Sequence, residues 1–150
     1  MTEWLGDTFW DVNKNEIGPE GIEGYPLIMV VHTAKWWPGS NYFINNIIPK
    51  YNKWNKKDTG NADDEEKNIQ IILVSGDQTE AAFVATMESN GGIPFLAKKW
   101  GTDKSEIEAK IPIQHWPLPG VVNGITGEVI NANVFGHVED EDYEGWMAKT

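Results

Sequence analysis

Two short stretches of the chain are mostly apolar and are separated by a segment with helical periodicity. The first stretch covers residues 27–33 (LIMVVHT) and the second covers residues 68–75 (NIQIILVS). Stretches of this length that are rich in β-branched residues are typical of central strands buried on both faces. Between them, apolar residues recur at helical spacing from Tyr42 to Trp54, with Pro49 inside the segment. We therefore predict a strand–helix–strand unit at the centre of the fold.

Weaker patterns on either side of this unit predict the other elements. Residues 4–12 alternate loosely and are followed by turn residues, which indicates a short N-terminal strand or hairpin. After the second strand we expect a helix capped near Thr79 and ended at 90–92, an extended connector at 93–96, a short polar helix at 103–110, two strands joined by a tight turn within 121–130, and a terminal helix at 139–149.

This order of elements predicts an α/β fold with a mixed sheet and helices on both of its faces. The length of 150 residues is typical of one domain. Within that domain we expect residues 1–24 to form the N-terminal strand or hairpin and residues 25–150 to form the core.

The turn between the first central strand and the helix has an unusual composition. It reads Ala34-Lys35-Trp36-Trp37-Pro38-Gly39-Ser40, and Ser40 either caps the helix or lies in its first turn. The chain contains eight tryptophans and no cysteine. The lack of cysteine excludes disulfides, thiolate nucleophiles, thiolate metal sites and iron–sulfur clusters.

This succession of strand, tryptophan-proline turn and helix resembles the thioredoxin superfamily, most closely its tryparedoxin and nucleoredoxin branch. In that branch the turn reads Trp-Cys-Pro-Pro-Cys. Here Trp36 is kept, Trp37 stands where the nucleophilic cysteine would be, and Ser40 stands where the resolving cysteine would be. Later segments match the branch in the same order: Val74-Ser75-Gly76-Asp77, Gly92-Ile93-Pro94-Phe95, Trp116-Pro117-Leu118-Pro119 and Gly145-Trp146. The resemblance extends from Tyr25 to Trp146.

The resemblance implies a thioredoxin-like three-layer sandwich that carries a degenerate redox site. It implies a cis bond between Trp116 and Pro117 that faces the turn, so that Trp36, Trp37 and Trp116 converge at one pole of the fold. Neither tryptophan nor serine can replace a redox thiol, so thiol–disulfide oxidoreductase activity is not expected. The degenerate site consists of these residues: Trp36, Trp37, Pro38, Gly39, Ser40, Trp116 and Pro117.

Two interpretations of this tryptophan-rich site remain open. The indoles either plug the space of the former redox site or form an exposed patch on which a partner docks, because tryptophan is enriched at interface hot spots. Either Trp37 and Trp116 stack on each other, or at least one of them projects outward.

Other candidate chemistry is sparse. The histidines are His32, His115 and His137, and their spacing matches no local metal motif. We expect His32, which lies in the first central strand, to be a core residue with satisfied hydrogen bonds. The acidic runs at 63–66 and 140–144 lack the glycine and the closing glutamate of an EF-hand loop, so we expect them to be solvated. The sequence predicts no metal, no cofactor and no catalytic residue.

The charge of the chain restricts its partners. The net charge is −11, and all 12 basic residues are lysines. Long-range attraction to nucleic acid is not expected, whereas an acidic surface favours solubility and basic partners. The chain contains no membrane span and begins without a basic leader, so we expect a cytoplasmic protein or part of an assembly reached from the cytosol. Mitochondrial import without a cleaved presequence stays open.

The sequence predicts a redox-inactive, thioredoxin-like protein that binds other proteins as a structural or accessory subunit of a larger assembly. One alternative is a chaperone-like or regulatory module that binds extended peptides at the edge formed by the cis proline. A further alternative is an enzyme with chemistry that does not use thiols, for which the sequence offers no residues.

Overall fold

The computed structural model describes residues 2–134 and 138–150. Its strands are β1 (Phe9–Trp10), β2 (Glu16–Ile17), β3 (Leu27–Thr33), β4 (Ile69–Ser75), β5 (Leu96–Ala97), β6 (Leu118–Asn123) and β7 (Val129–Asn131). Its helices are α1 (Pro38–Trp54), α2 (Glu80–Glu88), α3 (Ser105–Lys110) and α4 (Asp140–Met147). Within these described ranges, no helix combines the length and the apolar character needed to cross a bilayer.

The strands form one mixed sheet in the order β2-β1-β5-β4-β3-β6-β7. β3 pairs in parallel with β4, in a register that places Leu27 opposite Ile69 and Thr33 opposite Ser75. On its other side β3 pairs antiparallel with β6. Every residue of β3 is buried, as expected for a central strand without a solvated face.

Apolar side chains cover both faces of this sheet and form two cores. Alternate residues of β3 and β4 point to opposite faces, because the side-chain period of a strand is two. On one face, Met29 and Val31 pack with side chains of α1, α2 and α4. On the other face, Ile28 and Val30 pack with α3 and with the N-terminal segment around Leu5. The result is a three-layer α/β sandwich, as predicted.

Most predicted elements are confirmed, with small differences at their ends. The N-terminal segment forms a hairpin, and Trp10 of β1 lies opposite Ala97 of β5, so the hairpin extends the same sheet. Helix α1 begins at Pro38, four residues before the predicted periodic segment, because proline at the first helical position has its φ angle already set. Ser40 therefore lies in the first turn of α1, one of the two predicted positions.

The caps of the later helices follow the sequence closely. Thr79 caps α2, and its side-chain oxygen accepts a hydrogen bond of 3.2 Å from the amide of Ala82. Beyond α2, the backbone enters the left-handed region at Asn90, which ends the helix where the sequence predicted. Helix α4 begins at Asp140 with a capping box formed by Glu139 and Asp142.

Candidate functional site

Hydrogen bonds from backbone amides fix the turn that precedes α1. The amide of Ala34 donates to Ser40 Oγ over 3.2 Å, and the amide of Lys35 donates to Asp77 Oδ1 over 2.7 Å. Asp77 is itself held by Ser75, since the Asp77 amide donates to Ser75 Oγ over 2.9 Å. Ser40 is 1% exposed, so its hydroxyl is part of the scaffold of the turn and does not face solvent. Sequence reasoning did not identify these supporting roles of Ser40 and Asp77.

Trp36, Trp37 and Trp116 lie together at this pole and form a cluster that we call the tryptophan patch. The ring centroids of Trp36 and Trp37 are 6.3 Å apart, and those of Trp36 and Trp116 are 5.9 Å apart, both in edge-to-face geometry. Trp36 is 60% exposed and Trp37 is 48% exposed, whereas Trp116 is half-buried. The predicted convergence of the three indoles is confirmed. Trp36 lies between the other two rings, and two of the three indoles project into solvent.

Trp116 occupies a space that only a glycine at position 76 leaves open. A Cβ atom on Gly76 would lie 2.2 Å from the Cη2 atom of Trp116 and 2.6 Å from its Cζ3 atom. The ring also meets His32 edge-on, with centroids 6.5 Å apart. The bond between Trp116 and Pro117 is cis, as the resemblance implied. The indole is thus held by the end of β3 and the turn after β4.

Trp37 lies close to the N-terminus of α1 and covers its first turn. A Cβ atom on Gly39 would lie 3.1 Å from the Nε1 atom of Trp37 and 3.5 Å from the Cδ atom of Pro117. Because Gly39 has no side chain, the indole of Trp37 has room to lie close to the first turn of α1 and to the cis proline. Since 48% of Trp37 stays exposed, this contact positions the ring without burying it.

His32 differs from the expectation of a fully satisfied core residue. It is completely buried, and its Nε2 atom lies 2.9 Å from the carbonyl oxygen of Ile111, to which it donates a hydrogen bond. Its Nδ1 atom has no hydrogen-bond partner among the described residues. Burial lowers the pKa of His32, a shift partly opposed by the bond to Ile111 and by the charge of Glu108. Burial therefore favours the uncharged form of the ring, which meets Trp116 edge-on.

An apolar groove runs beside the tryptophan patch between α1 and the loop before β6. Its volume is about 330 Å³, within the range of ligand-binding pockets. Its walls include Gly39, Tyr42 and Phe43 of α1 and, facing them, Pro117 and Pro119. Tyr42 is 58% exposed at its rim. Pro117 thus belongs both to the wall of this groove and to the degenerate site.

A second, smaller groove of about 180 Å³, which we call the lysine groove, lies beside the loop that carries Ser75 and Asp77. Ser75 and Asp77 line it at the patch side, and Lys98, Lys99 and Lys104 line the remainder together with Trp100. The Nε1 atom of Trp100 donates to the carbonyl oxygen of Asp77 over 3.2 Å. The lysine groove therefore borders the loop whose Asp77 side chain holds the turn before α1.

The remaining residues considered from the sequence do not gather into a site. His115 lies at the apolar groove with its Nε2 atom 2.8 Å from Asn133 Oδ1, and His137 lies outside the described residues. The described part of the chain holds no group of three or more side chains suited to bind a metal ion. Asp140, from one of the acidic runs, accepts a hydrogen bond of 2.9 Å from Trp54 Nε1 and pairs with Lys53, so it joins α4 to α1.

Comparison with solved structures identifies the fold. The thioredoxin of Wuchereria bancrofti superposes with a TM-score of 0.72 at 16% identity, covering 96% of each chain. Tryparedoxin I of Crithidia fasciculata gives 0.67 at 17% identity, covering 86% of this chain and 83% of its own. Tryparedoxin I of Leishmania major gives 0.67 at 19% identity, covering 84% and 79%.

Sequence comparisons add no relative, because no protein-family model matches the chain and no curated protein matches it significantly. The structural similarity, at identities of 16–19%, is evidence for the fold alone. The lack of any cysteine agrees with the loss of both redox residues, which the resemblance placed at Trp37 and Ser40. This chain therefore has the thioredoxin-like fold in a form without cysteine.

Proposed function

We propose that the chain is a redox-inactive, thioredoxin-like protein that binds other proteins as an accessory or structural subunit of a larger assembly. The observation that carries the proposal is the exposure of Trp36 and Trp37, at 60% and 48%, at the pole where the resembling enzymes hold their redox pair. The chain has no thiol with which to perform that chemistry.

The exposure of two adjacent indoles supports docking over plugging. A residue that merely filled the former site would be buried like Phe83 or Phe95, which are 0% and 2% exposed. Contiguous exposed apolar surface is a mark of interaction sites in soluble proteins, and tryptophan contributes strongly to binding where it becomes desolvated. The hydrogen bonds of Lys35 and Ser40 hold the patch in one conformation, which reduces the entropy cost of binding.

A second candidate is a chaperone-like or regulatory module that binds extended peptides transiently. The apolar groove beside Pro117 favours it, because a groove of about 330 Å³ with few polar groups can accept side chains of an extended segment. The two candidates differ in the lifetime and stoichiometry of the complex that they predict.

Native mass spectrometry of the tagged protein purified from its source cells distinguishes the two candidates. The proposal predicts a complex of fixed stoichiometry that survives purification, and the alternative predicts substoichiometric clients that dissociate. As a test of redox inactivity, the pure protein should not accelerate reduction of insulin by dithiothreitol. Turnover above background in that assay, or a purely monomeric protein in the native spectrum, would contradict the proposal.

A further inference from the structure

The two grooves beside the tryptophan patch are lined by more lysines than carboxylates, although the chain as a whole is acidic. The chain has 23 acidic residues against 12 lysines. Yet the apolar groove has Lys50 in its wall and no carboxylate among its described residues. The lysine groove has three lysines, of which Lys98 is buried and bonded to two carbonyl oxygens, and only Asp77 as an acid. Lys35 adds a further exposed lysine within the turn itself.

These lysines keep their charge available because carbonyl oxygens, not carboxylates, satisfy most of them. Lys104 Nζ donates to the carbonyl oxygen of Ser75 over 2.5 Å, and Lys50 Nζ donates to that of Val138. Among the described residues, no carboxylate lies within 4.0 Å of the ammonium groups of Lys35, Lys50 or Lys104. Lys99 Nζ lies 3.6 Å from Glu16 Oε1, but both side chains are more than half exposed, and such a surface pair contributes little and can exchange for another carboxylate. A carbonyl oxygen carries no formal charge, so the ammonium groups of Lys50 and Lys104 are not neutralised by the groups that they contact.

The one acid at the lysine groove is already engaged in the scaffold. Asp77 accepts the amide of Lys35 over 2.7 Å and the hydroxyl of Ser75 over 3.3 Å. The adjacent end of α1 adds positive potential, because its first turn contains no acidic residue and Trp37 provides no side-chain cap. Apolar indoles thus lie beside several positive groups on a chain that is acidic overall.

Resting on the proposed function, we propose that the tryptophan patch binds an acidic segment of a partner protein. An apolar side chain of that segment covers Trp36 and Trp37, and carboxylates on either side of it face Lys35 and the exposed Lys99. Charge complementarity of this kind fixes the register of a partner and raises the rate of association. The net charge of the whole chain favours basic partners. The lysines near the patch instead favour an acidic segment at this one site.

Single-stranded nucleic acid also combines negative charge with flat apolar rings. It carries a charge on every nucleotide, however, and therefore meets repulsion from the acidic remainder of the chain along its whole length. A short protein segment brings its carboxylates only to the patch. The chain also lacks arginine, the residue best suited to bind phosphate in bidentate geometry.

The test uses three short blocked peptides with a common central Phe-Leu pair, flanked by acidic residues, by lysines or by serines. Binding is followed by NMR shifts of the indole N–H groups of the full chain. We expect the acidic peptide to shift the indole signals of Trp36 and Trp37 and to bind about fivefold more tightly than the serine peptide, the ratio given by one exposed ion pair of about 1 kcal/mol. We expect this preference to weaken at about 1 M salt, where charges are screened within about 3 Å.

Charge-reversal variants locate the interaction. Lys35→Glu and Lys99→Glu, both at exposed positions, should each weaken binding of the acidic peptide by about threefold to fivefold. Lys149→Glu makes the same change of charge beyond α4, which packs at the far end of α1, and should have little effect.

Equal binding of the acidic and serine peptides, tighter binding of the lysine peptide, or no binding of any peptide at the indoles would overturn the inference. So would tighter binding of an oligothymidylate than of the acidic peptide at the same indoles. These results leave the proposed function to be judged separately, by the effect of Trp37→Ala on the native partner. A loss of acidic-peptide binding with an intact effect of Trp37→Ala refutes only the partner chemistry.

Discussion

Gly76 shows at the scale of one residue how the patch depends on the absence of a side chain. Its backbone is not in the left-handed region, so alanine is acceptable to the backbone there. The added methyl group would instead collide with the indole of Trp116. We expect Gly76→Ala to lower the free energy of unfolding by about 1–3 kcal/mol, as overpacking does, and to displace Trp116. Urea denaturation followed by tryptophan fluorescence measures both effects.

The matched control combines Gly76→Ala with Trp116→Ala. If the collision causes the loss, the double variant should show an interaction energy of about 1 kcal/mol or more that restores stability relative to the sum of the two single changes. Strict additivity of the two changes would show that the collision is not the cause.

His32 makes stability depend on pH in a defined direction. Its pKa is lowered by burial, so the unfolded chain binds a proton near pH 6.5 while the folded chain remains neutral. Between the two pKa values the unfolded state holds more protons, and the free energy of unfolding therefore rises with pH. The stability that neutral His32 contributes is fully present above about pH 6.5 and is lost as the pH falls towards the folded pKa.

Urea denaturation between about pH 7.5 and pH 5 measures this loss, since most carboxylates titrate below that window. The variant His32→Phe keeps a flat ring against Trp116 and should show a smaller slope of stability against pH. The other histidines are present in both proteins and contribute equally. An unchanged slope in the variant would rule out His32 as the group responsible.

Asn55 connects two elements and shows what the pattern of apolar residues could not reveal. It is completely buried at the end of α1. Its Nδ2 group donates to the carbonyl oxygens of Tyr51 and Ile69 over 3.1 and 2.9 Å, and its Oδ1 atom accepts from the amides of Asn68 and Ile69 over 2.8 and 2.9 Å. One side chain therefore joins the last turn of α1 to the first residue of β4.

Removing that connection should be costly, because it leaves buried backbone groups without partners. We expect Asn55→Ala to lower the free energy of unfolding by about 2–4 kcal/mol. The exposed Asn46 in the same helix makes one side-chain hydrogen bond, to the carbonyl oxygen of Tyr42, and Asn46→Ala should cost less than about 0.5 kcal/mol. Similar losses for both variants, measured by urea denaturation, would contradict the role assigned to Asn55.

The existence of the helices and strands could be predicted from the sequence because each depends on local signals. Continuous apolar residues indicate strands β3 and β4, and the cap at Thr79 indicates the start of α2. The start of α1 was predicted four residues too late, because Pro38 to Asn41 add no residue to the apolar face of the helix. Proline nevertheless favours the first helical position. The structural role of Asn55 was not predicted, because the spacing of apolar residues gives no sign of a buried asparagine.

At the scale of the whole molecule, the sequence predicted which residues meet but not the potential around them. The convergence of Trp36, Trp37 and Trp116 was implied by the resemblance, in which the cis proline faces the turn before the helix. The lysine groove was not implied, because Lys35 and Lys99 are 64 positions apart and their proximity to one pole depends on the sheet order. The net charge of −11 gave no indication that lysines outnumber carboxylates in the two grooves beside the patch.

The central claim is that the tryptophan patch serves binding and not folding. Trp37 tests it most directly, because its indole is 48% exposed and lies between the likewise exposed Trp36 and the side of Gly39 in the first turn of α1. A matched control is Ile125→Ala, which removes a side chain that is 60% exposed in the turn between β6 and β7. Both variants should unfold within about 1 kcal/mol of the parent protein, as exposed substitutions usually do.

The decisive measurement is the affinity of the native partner for Trp37→Ala, compared with the thermal midpoint of the same variant. Our account predicts that partner binding weakens by about 2 kcal/mol or more, as at interface hot spots, while the midpoint hardly moves and Ile125→Ala binds normally. A Trp37→Ala protein that loses about 3–5 kcal/mol of stability, as after truncation of a core aromatic, and still binds its partner with parental affinity would contradict it.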